Sequence, residues 1–446
     1  MPDSFADAYD FASRLTPADI PPEVMHQARR CLVDLVGVWA AGANTPSARI
    51  ASNHAAKRYG TSEDAVPMLF DGRPVSPPGF AFAGAIAIDS IDGHDGHQSC
   101  KGHAGAALLP ALLAELGTSL GIRLDDFLTH LVVGYEIALR AGLSLHATVA
   151  DYHSSGAWNA LGCAAMVARI RGFSRDQFRH AIGIAEYYGP RAQMMRAIDH
   201  PTMVKDSSGW GAMVGVSAAD LAEDGFTGAP AITCEAHEVA HLWSDLGQRW
   251  RMLEMNFKAY PVCRWSQPPI EAIRTLRQQH AFAAEDIETL EVCTFHEATR
   301  LATTRPTDGD EAQYSLPVSV ALFFIHGDVL PGHLDPKIIN RPEVLALADL
   351  ITFSERADYN AAFPEERYAH VSLSLKDGRV LKSSPHVAAG NYDNPLSDAA
   401  LVAKFRKYAA GVIPDTVQKR IAAIVLDPAA DTTLQALLCG LLREAQ

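Results

Sequence analysis

The chain has 446 residues, 48% hydrophobic and 20% charged, which is the composition of a globular protein with two or three domains and a large core. Its 38 basic residues stand against 52 acidic ones, and the formal charge of −14 excludes the clustered positive charge of a nucleic-acid footprint while leaving room for a local basic pocket that takes an anion. Seven cysteines (31, 100, 163, 234, 263, 293 and 439) are odd in number and lack CxxC spacing, so a disulfide framework and a zinc ribbon are excluded and a reducing, cytoplasmic setting is expected.

The opening MPDSFADAYDFASRL has no long apolar run and does not read as a secretory signal, and no segment reaches the apolar length of a membrane span. PADIPPEVMHQARRCLVDLVGVWAAG enters a helix at Asp19 and its two prolines and leaves it at Gly42. Ala/Leu/Gly-rich helical patterns then continue to about residue 250, where small residues let helices approach closely and no run of alternating β-branched residues occurs. After Pro268 the character changes. ETLEVCTFHEATRLA is strand-like, and the alternating stretch from Arg367 turns at Asp377-Gly378, a hairpin signal. SLPVSVALFFIHG and PEVLALADLI are helical between them, and the tail returns to helix. The reading is a mainly α protein, with a large all-α domain (1–267 and 396–446) and a smaller α+β lid domain (268–395).

Chemistry concentrates in one run, Asp89-Ser90-Ile91-Asp92-Gly93-His94-Asp95-Gly96-His97-Gln98-Ser99-Cys100-Lys101-Gly102-His103. Its flanks, FAFAGAIAI and AALLPALLAEL, are apolar, so the ionisable groups are expected at the ends of buried helices with perturbed pKa values. Tyr152-His153-Ser154-Ser155-Gly156 and Lys205-Asp206-Ser207-Ser208-Gly209 each place a basic side chain before Ser-Ser-Gly and a helix. Serine caps helix starts, and free N–H groups there bind anions. Capping alone would account for either motif. The parallel between them, beside the acidic run, favours a pocket for a polycarboxylate with Ser155 and Ser208 at its rim. Lys258 and Arg264, with Arg191 as a further candidate, would clamp carboxylates. Asp92, Asp95, His94 and His97 could ligate a metal, but their spacing matches no metal motif and HExxH is absent, so no metal is expected.

Six segments in register resemble the MmgE/PrpD family over nearly the whole chain. They are residues 89–105, Tyr152–Gly156, Lys205 before its helix, Lys258-Ala259-Tyr260-Pro261-Val262-Cys263, Gln313-Tyr314-Ser315-Leu316-Pro317 and Asn394-Pro395-Leu396-Ser397-Asp398. The resemblance implies a helical domain with an α+β lid, a homodimer, no metal or organic cofactor, and site residues Asp92, His103, His153, Lys205 and Lys258. Family members include 2-methylcitrate dehydratase, cis-aconitate decarboxylase and iminodisuccinate epimerase.

This chain departs from the dehydratase and decarboxylase pattern. Asp95-Gly96 stands where those have Asp-Asp-Thr, Val318 where they have a tyrosine, and His103-Ala104 and His153-Ser154 where they have His-Pro. The departures imply the epimerase branch. The expected activity is therefore a cofactor-independent isomerase of iminodisuccinate that removes an α-proton and returns it from the other face. Lys205 with His153 or His103 would be the bases, Asp92 would orient a histidine, and Tyr152 would be a second acid. The competing readings are a lyase on a tricarboxylate, resembling 2-methylcitrate dehydratase or cis-aconitate decarboxylase, and a non-catalytic polycarboxylate-binding protein.

Overall fold

The computed structural model describes residues 4–60, 63–117, 121–426 and 432–441. The first part of the chain is a stack of helices: α1 Ser4–Arg14, α2 Pro22–Gly42, α3 Pro46–Arg58, α4 Pro77–Asp89, α5 Gly105–Leu116, α6 Leu124–Thr148, α7 Gly156–Ile170, α8 Arg175–Tyr188, α9 Met195–Asp199 and α10 Ser208–Glu223. Helix α5, GAALLPALLAEL, is buried on almost every side, as a helix apolar all round must be. Glycine permits the tight approach of α6 to α7. A Cβ at Gly162 would stand 2.5 Å from the Gly134 carbonyl oxygen, so any side chain there would push the two helices apart.

The all-helical expectation for this part missed four two-residue strands. β1 (Val66–Pro67) pairs with β2 (Pro74–Val75), and β3 (Gly96–His97) pairs with β4 (Met255–Asn256), both antiparallel. Such short pairings come from tertiary contact and leave no periodic trace in the sequence. The β3–β4 pair matters, because it ties the ionisable run to the segment carrying Lys258.

The lid is built on one sheet of β5 (Ile287–Thr294), β6 (Ile351–Glu355), β7 (His370–Leu375) and β8 (Val380–Lys382), in the order β6-β5-β7-β8. β6 runs parallel to β5, and β7 and β8 are antiparallel to their neighbours. The hairpin turn holds Gly378 at φ 89°, a conformation glycine adopts without steric cost. Ile351 and its neighbours, read as the end of a helix, form β6. The HEAT portion of the strand-like stretch after residue 288 closes instead into the short helix His296–Thr299.

Two separate apolar cores result. One joins the helices above with the C-terminal helices Asp398–Ala409 and Asp415–Leu426, through residues such as Leu35, Leu108, Phe405 and Ile421. The other fills the lid around Leu290, Val292, Val318 and Leu373, and takes in Ile198 of α9. The molecule is thus mainly α with a smaller α+β part. No described helix is long and apolar enough to cross a membrane.

Candidate active site

A cleft, open at its mouth, lies where the lid meets the helical body. Its wall includes Asp92, His103, Tyr152, Lys258 and Arg264, all singled out from the sequence, together with Asp206, Asn256, Tyr314 and Arg367.

The floor follows from the way α4 ends. Past Asp89 the chain stays buried through His97 without helical or sheet pairing over most of its length, so its polar groups must satisfy one another. Asp89 accepts from His94 Nε2 at 2.9 Å and from the Ser208 N–H at 3.2 Å. The Asp92 N–H donates to Gln313 Oε1 of the lid at 2.6 Å, and the Asp92 carboxylate is ion-paired with the Lys258 ammonium. From the C-terminal helix, Lys404 Nζ donates to the Gly93 carbonyl at 2.5 Å and to Asp34 at 2.6 Å, pinning the loop from beneath.

The rings of His94 and His103 lie 4.0 Å apart, centroid to centroid. His103 Nδ1 donates to the Asp95 carbonyl, which fixes the tautomer and leaves Nε2 as a free acceptor 3.9 Å from Asp206 Oδ2. Gly96 lines the cleft beside this imidazole. A Cβ there would come 3.2 Å from His103 Nδ1 and 3.3 Å from Asn256 Oδ1, so glycine permits the close fit.

Burial sets most of the electrostatics. It pushes His94 down to about 3 and His103 to about 4, with the Lys258 ammonium adding to both, so both imidazoles are neutral at physiological pH. Burial raises the Asp89 and Asp206 carboxyls, and pushes Asp95 up to about 7 despite the hydrogen bond it accepts from the Tyr135 hydroxyl. Burial acts upward on Asp92 too, but there Lys258, His103 and His94 outweigh it and hold the carboxyl well below its usual range. Tyr152 and Tyr314 are raised by burial and remain neutral phenols.

The other expected residues are placed differently. Tyr152 donates its hydroxyl to the Lys101 carbonyl, and Lys101 holds the left-handed φ of 53° that turns the run back toward His103. His153 is buried beside the cleft without lining it. Its N–H donates to His146 Nε2 at 3.3 Å, and its Nδ1 has no partner among the described residues. Lys205 also stands off the wall. Its Nζ is 2.9 Å from Asp310 and 5.0 Å from the centroid of the Tyr314 ring, so it supports the residue that does face the cleft. Arg264 lines the cleft, but its terminal nitrogens donate to the carbonyls of Phe257 and Ala389 and to Asn391. Arg191 is exposed and lies outside the cleft lining.

The serines are not the expected caps. Ser155 precedes α7 without capping it. Its hydroxyl accepts from the His103 N–H at 2.9 Å and donates to Asp206 at 2.8 Å. Ser208 is the first residue of α10, and Ser207 before it holds φ 60°, so the chain turns through a left-handed residue at the point where Asp206 meets the cleft.

Asp92, His94 and His103 bring ligand atoms within 4.8 Å of one another, the spacing a cation would need. The ammonium of Lys258 already supplies the positive charge on Asp92, which is the role a metal would otherwise take.

Sequence reasoning did not select Asp206, Tyr314, Asp310 or Arg367. Asp206 and Tyr314 sit inside quoted motifs, next to Lys205 and before Ser-Leu-Pro, and a neighbour rule would have found them. Arg367 leaves no signal, because it reaches the cleft only through the folding of the lid. Val318, noted where relatives carry a tyrosine, is buried in the lid core, while Tyr314 presents its phenol to the cleft.

Among curated proteins the chain is similar to a cis-aconitate decarboxylase-like protein, oryM, of Aspergillus oryzae, 24% identical over 477 residues that cover 98% of this chain and 97% of the relative. It is also similar to cis-aconitate decarboxylases of Aspergillus terreus (21% identical; 93% and 91% covered) and Homo sapiens (26%; 89% and 86%). These relatives are lyases by name, which overturns the expectation of an isomerase. The local departures at Gly96, Ala104, Ser154 and Val318 carry less weight than the whole-chain likeness to these relatives. The MmgE/PrpD N-terminal domain model matches residues 7–245 and the C-terminal domain model residues 260–428, and on that match the chain belongs to the MmgE/PrpD family.

Proposed function

We propose that this protein is a lyase that decarboxylates an unsaturated tricarboxylate of the cis-aconitate type, using its own side chains. The observation that carries the reading is the meeting, in one buried cleft, of the Asp92–Lys258 ion pair with a neutral His103 whose Nε2 is free. The names of its relatives support it.

In the reaction the bond to one carboxylate breaks and carbon dioxide leaves. The electron pair flows into the unsaturated system conjugated with a neighbouring carboxylate, and a proton is delivered to carbon. Two needs follow: positive charge where the enolate-like oxygen develops, and a proton carrier beside the carbon. Lys258 supplies the first, and its ion pair with Asp92 keeps it aimed. His103 supplies the second. Arriving carboxylates raise the basicity of its imidazole, so it can take up a proton and pass it to carbon. Tyr314, a neutral phenol on the same wall, is a second donor within the cleft.

The test is proton and carbon NMR of the purified protein with cis-aconitate, with release of carbon dioxide measured in parallel. The expected outcome is one carbon dioxide per unsaturated dicarboxylate formed, and its loss in the His103→Asn variant by about 10²–10⁴-fold. Water addition or elimination without carbon dioxide would replace decarboxylation by dehydratase chemistry. Binding with neither would leave a non-catalytic polycarboxylate receptor.

A further inference from the structure

We propose that Arg367 is an anion anchor carried by the lid, which takes a substrate carboxylate remote from the Lys258 end of the cleft and so selects a tricarboxylate over a dicarboxylate. The proposal rests on the reading of the cleft as a polycarboxylate site and adds a residue that neither the sequence motifs nor the relatives point to.

The cations around the cleft differ in what they meet: Lys101 lies over the Tyr152 ring, 5.8 Å from its centroid. Lys258 is neutralised by Asp92 and Lys205 by Asp310. Arg264 spends its terminal nitrogens on the carbonyls of Phe257 and Ala389 and on Asn391, contacts that brace the domain junction. Arg367 has no such arrangement. Its guanidinium lines the cleft, one terminal nitrogen donates to the Gln98 carbonyl at a long 3.4 Å, and its Nε is shut off from solvent with no partner among the described residues. No described carboxylate pairs with it, and the ionisable groups that favour its charge are the neutral Tyr152 and Cys263.

A part-buried guanidinium without a counter-ion is costly to keep. Here a second guanidinium worsens it: burial holds Arg264 down at about 9, and Arg367 is the neighbour that adds most to the effect. An anion entering between them relieves both. The planar fork of Arg367, whose terminal nitrogens carry only the long bond to Gln98, matches a carboxylate in bidentate fashion, which the point charge of a lysine does not.

The position also couples anchor and lid. Arg367 lies three residues before β7, on the lid, whereas Gln98 belongs to the loop between β3 and His103. The Gln98 side chain returns a hydrogen bond to the Glu365 carbonyl, so residues 365–367 close directly on that loop. A carboxylate held by Arg367 is therefore held across the domain junction.

The experiment is calorimetric titration of wild type, Arg367→Gln and Arg367→Lys with propane-1,2,3-tricarboxylate and with methylsuccinate, which keeps a vicinal pair of carboxylates and lacks the third; neither contains the double bond needed for decarboxylation. Arg367→Gln is expected to weaken the tricarboxylate by about 30-fold, the worth of one charge-assisted pair, and methylsuccinate by less than about threefold. Arg367→Lys is expected to recover part of the loss. In turnover, KM is expected to rise with kcat little changed. The ligand-free Arg367→Gln protein is expected to melt at or above the wild-type temperature, since it loses an unpaired charge.

Undiminished tricarboxylate binding by Arg367→Gln would overturn the proposal, as would equal losses for both acids or a lowered melting point, each of which marks a structural residue. Should Arg367→Gln fail to fold, Arg367→Lys carries the test, with a loss of about fivefold or more expected on the tricarboxylate and none overturning the idea. Arg367-dependent binding without carbon dioxide release would sink the lyase reading and leave the anchor standing. Release of carbon dioxide with Arg367-independent binding would do the reverse.

Discussion

Lys258→Met isolates the ion pair on which the site is built. The side chains of Lys258 and Asp92 are 3% and 6% exposed, so removing the ammonium strands a largely buried carboxylate. Breaking such a buried pair costs about 3–5 kcal/mol, most of it the penalty on the survivor. The double variant Asp92→Asn/Lys258→Met removes that survivor's charge and is expected to regain at least about 2 kcal/mol over the single variant.

The pH dependence gives a second readout with a definite sign. In the wild type Asp92 is held below its ordinary value, so its contribution is present above the unfolded pKa and is lost as pH falls through the folded one. Without Lys258 the burial that already pushes Asp92 upward prevails, and Asp92 takes up a proton as the solution is acidified. The penalty of Lys258→Met is therefore expected to be larger at pH 7 than at pH 5. Urea unfolding of the four proteins of the cycle, followed by circular dichroism and tryptophan fluorescence at both pH values, measures both effects. A single variant within about 1 kcal/mol of wild type, or strict additivity with Asp92→Asn, would refute the reasoning.

Three further outcomes follow from the geometry. Asp95→Asn mimics a carboxyl raised to about 7: the wild type loses stability as pH rises from the unfolded carboxylate value toward 7, so the variant should gain about 2 kcal/mol relative to it between pH 5 and pH 7, read from unfolding midpoints. Ser155→Ala leaves the His103 N–H and the Asp206 carboxyl without their shared partner, and a loss of about 1–3 kcal/mol is expected in thermal melts, together with a fall in turnover of at least about tenfold. Gly105→Ala would drive a Cβ to 2.2 Å from the Tyr135 hydroxyl and 2.6 Å from Leu35, so a destabilisation of about 1–3 kcal/mol is expected, and an unchanged melting point would mean that the start of α5 is looser than it stands here.

The sequence by itself determined the mainly helical architecture, the change of character after Pro268 and the hairpin at Asp377-Gly378, because these are written in local periodicity and turn chemistry. The resemblance carried by short motifs grouped Asp92, His103, His153, Lys205 and Lys258, and of these Asp92, His103 and Lys258 line the cleft. What the side chains touch was decided by the tertiary structure alone. Asp92 meets Lys258 across 166 positions, Lys205 turns to Asp310, and Ser155 binds His103 and Asp206 in place of a helix end. Arg367 arrives in the cleft with no motif to announce it. The physical reason is that a motif fixes which groups are near in sequence, whereas burial drives most polar groups to find a partner in space. Those partners come from whichever element the packing of two domains happens to bring within reach.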